Sequence, residues 1–112
     1  MAMLTIEAQV VGESVVLLQA PTLATNTVET VQVVFRFDNN WTGFQKTAMF
    51  WGTDDEEYAI DVVDDCAIVP HEVMAEAGKI KFGVNGTDGN KLIVSEKVTY
   101  RILEGAYSVN SN

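Results

Sequence analysis

Cys66 and His71 stand five positions apart in "CAIVPHE", a nucleophile and a base of the types that thiol hydrolases employ. They are the chain's one cysteine and one histidine, so any such chemistry rests on this pair alone. No G-x-S-x-G elbow accompanies them, and a lone cysteine in an apolar run is ordinarily a small core residue. His71 is expected on a surface turn. A closed zinc site needs about four His or Cys ligands, which two residues do not supply. No P-loop or dinucleotide fingerprint occurs either. The sequence is therefore read as non-enzymatic, with no catalytic residue, no metal and no cofactor assigned.

Carboxylates offer a second chemistry. Asp54, Asp55, Glu56 and Glu57, with Asp61, Asp64 and Asp65, form the densest acidic region. Calcium takes several such oxygens from loops, but "DDEE" lacks the D-x-D-x-D-G spacing of the known loop. The run is read as solvated turns, and nothing singles out two carboxylates for glycoside hydrolysis. The net charge of −9 and pI near 4.3 disfavour nucleic acid and anionic membrane surfaces. They favour solubility, and a basic partner or a bound cation.

The third group is aromatic. "FRFDNNWTGFQKTAMFW", residues 35–51, holds four of the five phenylalanines and both tryptophans. Two readings compete. In the first, a hairpin folds Phe35, Phe37, Phe44 and Phe50 into a core, with Trp41 capping its end, because aromatics dominate small β cores. In the second, Trp41 and Trp51 stay outside, as stacking platforms for a sugar or anchors for a protein. Strand phase bears on the choice. If Phe44, Ala48 and Phe50 point inward, Thr47, Met49 and Trp51 point outward together, and Met49 with Trp51 becomes an exposed apolar pair. Trp41, Met49 and Trp51 are thus the candidate binding residues.

The elements that would position them have the period of strands. "LTIEAQVV" (4–11) alternates Leu4, Ile6, Ala8 and Val10 against polar neighbours, and "SVVLLQA" (14–20) is apolar up to Pro21. Residues 22–30 read as a Thr-rich loop with an edge strand at its end. "VQVVFRF" (31–37) puts Val31, Val33, Phe35 and Phe37 on one face. "DNNWTG" is a turn cluster, after which 44–51, 58–63 and 66–69 resume strand character. Pro70 opens and Gly78 closes a segment predicted as a helix of about two turns. "KIKFGVNG" (79–86) directs Ile80, Phe82 and Val84 inward, "TDGN" is a hairpin turn, and 91–103 supplies a last strand or two.

Short strands at this spacing, without βαβ alternation, predict an all-β fold: an antiparallel, immunoglobulin-like β-sandwich of about seven strands with one short helical turn. One domain is expected over 1–105, with a polar tail over 106–112. No apolar run approaches the ~18 residues of a spanning helix, and "MAMLTIEAQ" lacks the layout of a signal peptide. The chain is expected to be made and folded in a cytoplasm, without membrane insertion.

Phe35, Phe37 and Trp41, then Lys46, Ala48 and Phe50, then Val69, Pro70, Glu72 and Val73, and finally Gly83, Val84 and Gly86 together form a pattern. It resembles the β-sandwich domains of tailed-bacteriophage tail, baseplate and fibre proteins, in particular the virion-attaching domains of receptor-binding and upper-baseplate proteins. The likeness runs from Val31 onward, about two thirds of the chain. It implies a virion structural protein made in a bacterial host cytoplasm, with other virion proteins and further copies of itself as partners. Such domains commonly continue into a long fibre, whereas this sequence ends at Asn112: either a stand-alone small virion component or an excerpt of a longer protein is expected, and an attachment or adaptor role gains over complete receptor binding. The alternative function is a carbohydrate-binding module, with Trp41 and Trp51 meeting a surface glycan.

Overall fold

The computed structural model describes residues 3–25 and 30–103. The expected tail over 106–112, and most of the second half of the expected loop over 22–30, lie outside the described residues. Ten strands follow one another: β1 (Met3–Val11), β2 (Ser14–Gln19), β3 (Leu23–Ala24), β4 (Thr30–Phe37), β5 (Gln45–Trp51), β6 (Glu57–Asp61), β7 (Cys66–Ile68), β8 (Gly78–Thr87), β9 (Leu92–Val94) and β10 (Val98–Leu103). The fold is all-β and sandwich-like, with two sheets, one of them curled.

The first sheet has the order β2-β1-β4-β7, and the second runs β3-β10-β8-β5-β6. β9 pairs with β8 on residues 85–87, while β10 pairs with it on 78–82. The two short strands thus follow one another along β8, interrupted at Ser95–Lys97.

Alternation sets the faces. Ile6, Ala8 and Val10 of β1 pair in register with Val33, Phe35 and Phe37 of β4, and all but the half-buried Phe37 are fully enclosed. On the opposing sheet Ala48 and Phe50 meet Val84 and Phe82, again inward. This packing buries about twenty apolar side chains in one cluster between the sheets.

Three sequence expectations are corrected. The pairing is not antiparallel throughout, because β1–β4 and β10–β3 are parallel. β1 leaves through the β1–β2 hairpin, and the chain returns as β4 on β1's other side. Among the described residues the strands number ten rather than about seven, since the long final segment breaks in two and residues 23–24 make a short edge pair. The helix over 70–78 is a single 3₁₀ turn, His71–Met74. Pro70 does precede it, but so short a segment does not offset the cost of helix nucleation. Val73 and Met74, adjacent rather than three or four apart, are both buried by one turn.

Candidate docking site

Phe35, Phe37, Phe50 and Trp41 account for most of the aromatic run, and they stack in sequence. Trp41 lies 5.2 Å from Phe37, Phe37 5.5 Å from Phe35, Phe35 6.5 Å from Phe82 and Phe82 6.1 Å from Phe50, centroid to centroid. These spacings suit offset or edge-on ring packing. Trp41 ends the ladder with no solvent exposure, on a 3₁₀ turn (Asn39–Trp41) capped by the Asp38 carboxylate. Its ring rests on Gly86, where an added Cβ would come within 3.3 Å of it.

Trp41 is therefore corrected from a candidate surface residue to a core one. Its indole N–H is satisfied by the Gly12 carbonyl oxygen at 2.8 Å, so neither ring nor nitrogen is offered outward. A platform of two exposed tryptophans is not what this fold presents.

Met49 and Trp51 do lie together on the outer face of the second sheet. Register explains what surrounds them. Trp51 stands between Glu57 of β6 and Lys81 of β8, Met49 between Ala59 and Gly83, and Thr47 between Asp61 and Asn85. The small residues flanking Met49 leave a trough across three strands. It opens into a depression of about 270 Å³ lined by Met49, Trp51, Gly83, Asn85, Val94 and Lys97 among others. Gly83 has a second reason to lack a side chain. Its Cβ would meet the Glu96 carbonyl oxygen and the Ser95 hydroxyl, each at 3.1 Å.

Trp51 is held in place from two sides. Its indole N–H donates to Glu57 Oε1 at 3.1 Å, and the Lys97 ammonium sits 4.2 Å from its ring centroid. Lys97 comes from the far side of β8, so its side chain crosses that strand to reach the ring. A cation over an indole face contributes about 0.5–1 kcal/mol at an exposed site. The half-exposed ring is thereby held in one orientation.

The acids have local backbone roles. Asp54 Oδ1 accepts from the Glu56 N–H at 3.0 Å, and Asp55 takes a left-handed φ of 64° to close the turn. Asp64 and Asp65 do the same at 54° and 63°, forming the tight connection in which Val63 and Cys66 exchange both hydrogen bonds. Asp tolerates this region better than most residues. Among the described residues no three His, Cys, Asp or Glu side chains converge as a metal site would require. Cys66 is half-buried on β7, His71 is exposed on the 3₁₀ turn, and no hydrogen bond joins them.

Sequence reasoning found Met49 and Trp51 by strand phase. It missed Glu57, Lys97, Ala59 and Gly83. Glu57 was within reach, because a turn over 52–56 brings residue 57 opposite 51; Lys97 was not, because its position depends on the break between β9 and β10.

The chain matches no family model and no curated protein.

Proposed function

We propose that this chain is a non-enzymatic docking module of a tailed-phage particle. In this reading the sandwich is an immunoglobulin-like attachment domain within a tail, baseplate or fibre, and the outer face of the second sheet is its contact surface. The supporting observation is the half-exposed Trp51, braced by Glu57 and Lys97 beside an apolar trough. Rigid aromatic anchors next to an apolar recess are what protein contacts concentrate their binding energy in. A cavity of about 270 Å³ also falls short of the ~300–1,000 Å³ usual for small-molecule sites.

The partners are other particle proteins and further copies of the chain. The decisive experiment assembles particles with Trp51→Ala. Incorporation should fall about tenfold or more, a loss of roughly 1.4 kcal/mol or greater, while the isolated variant keeps its circular dichroism and still melts cooperatively. Normal incorporation overturns the reading. Native mass spectrometry of the isolated chain examines the self-assembly arm: a closed ring supports it, and a monomer at all concentrations removes it.

A further inference from the structure

β6 ends the second sheet, so among the described residues one side of its backbone has no strand neighbour. Its side chains alternate. Glu57, Ala59 and Asp61 are exposed on the outer face, and Tyr58 and Ile60 are half-buried against the core. Among the described residues neither Glu57 nor Asp61 has an ion-pair partner, the two bridges there being Arg36–Glu7 and Lys81–Asp55. Lys97 lies over the Trp51 ring, Lys81 stands 3.9 Å from Asp55, and Lys46 lies over Phe37.

We propose that β6 receives an added strand from a partner protein, five residues of which read basic–apolar–apolar–apolar–basic. Strand addition supplies main-chain hydrogen bonds, and specificity then comes from residues directly opposite one another. The two basic residues stand opposite Glu57 and Asp61. The central residue stands opposite Ala59, whose small side chain lets it lean over Met49. The remaining two cover Tyr58 and Ile60. Because this pattern is the same read in either direction, parallel and antiparallel addition both satisfy it.

Charge selects the occupant. Carboxylates on an edge strand repel another copy of a chain whose net charge is −9, which is how edges are commonly guarded against self-pairing. The same carboxylates attract lysine and arginine. The Tyr58 phenol on the inner face of this strand is held above its ordinary value, first by desolvation and then by the carboxylates of Glu56, Glu72 and Asp54.

The proposal rests on the docking reading but fails separately from it. The test titrates the full isotope-labelled chain with a nine-residue peptide centred on lysine–valine–leucine–valine–lysine, followed by amide shifts. Shifts are expected along β6 and β5, with affinity falling about tenfold or more between low and high salt. The peptide with glutamates for lysines, and the lysine peptide methylated on alternate backbone nitrogens, should not bind. Glu57→Gln with Asp61→Asn should weaken binding about tenfold or more, whereas Glu13→Gln with Glu76→Gln should leave it unchanged. Equal weakening by both pairs, binding of the methylated peptide, or shifts away from β6 would each overturn the proposal. So would a dimer of this chain paired through β6. If none of the peptides binds but Trp51→Ala still blocks incorporation, strand addition falls and the docking surface remains. Normal incorporation of Trp51→Ala removes the docking reading whatever the peptides do.

Discussion

The indole N–H of Trp41 donates to the carbonyl oxygen of Gly12 at 2.8 Å, and the Gly12 N–H in turn donates to Asp38 Oδ2 at 2.9 Å. Gly12 takes a φ of 58° at the tip of the β1–β2 hairpin. The segment 38–41 therefore grips that tip through both polar groups of one residue. Trp41→Ala should cost about 3–5 kcal/mol, the range for deleting a buried large aromatic. Trp41→Phe keeps most of the ring volume but strands the Gly12 carbonyl, at about 1–3 kcal/mol. Urea midpoints order the three proteins, and equal midpoints for wild type and Trp41→Phe would refute the role given to the hydrogen bond.

Glu96 grips the same hairpin from the other sheet. Its backbone N–H donates to the Glu13 carbonyl oxygen at 2.7 Å, and its carboxylate accepts from the Val15 N–H at 2.9 Å. Glu96→Ala should destabilise by about 1.5–3 kcal/mol, since a charged acceptor is lost from a backbone donor. Glu96→Gln retains an accepting oxygen and should cost clearly less. Chemical denaturation of both variants checks the order, and an Ala variant as stable as Gln would show that the side-chain bond contributes little.

Among the described residues, Asp88 contributes to acid stability. The Asp88 carboxylate accepts from the N–H groups of Asn90 and Lys91, at 2.9 and 2.7 Å, and these bonds hold it below its ordinary value of 3.8. A group depressed in the folded state stabilises fully above its unfolded value. That contribution is lost as pH falls through the lower folded value. Asp88→Asn should therefore unfold less steeply than wild type on acidification below about pH 4, as followed by urea midpoints at successive pH values. Parallel acid limbs would count against this assignment.

Period-2 alternation made most of the strands legible, because burial on one face writes itself into every second residue. Ile80, Phe82 and Val84 point inward as their spacing implies. Which strands become neighbours is a different matter. Nothing in the pattern of 4–11 or 31–37 distinguishes a parallel partner from an antiparallel one, since both faces would look the same. The Pro70 and Gly78 punctuation was real but bounded a turn. Trp41 and Trp51 show the same limit at the site. Both are tryptophans in one run, and only the 3₁₀ turn that swings Trp41 inward separates a core ring from a surface one. Gly83 acquires its meaning from facing Met49 and from the close approach of Ser95 and Glu96, neither of which its own strand pattern reveals.

The parallel β1–β4 pair, together with the Glu96 grip, also sets an order of events during folding. The β1–β2 hairpin is local and forms across a two-residue turn. The bond that seals its tip joins Val15 to Glu96, 81 positions apart. Loops of that length must close before their contacts are rewarded, so chains wired this way fold slowly. The tip formed earliest thus gains this seal last, and until β9 and β10 dock it is held by the 38–41 segment alone.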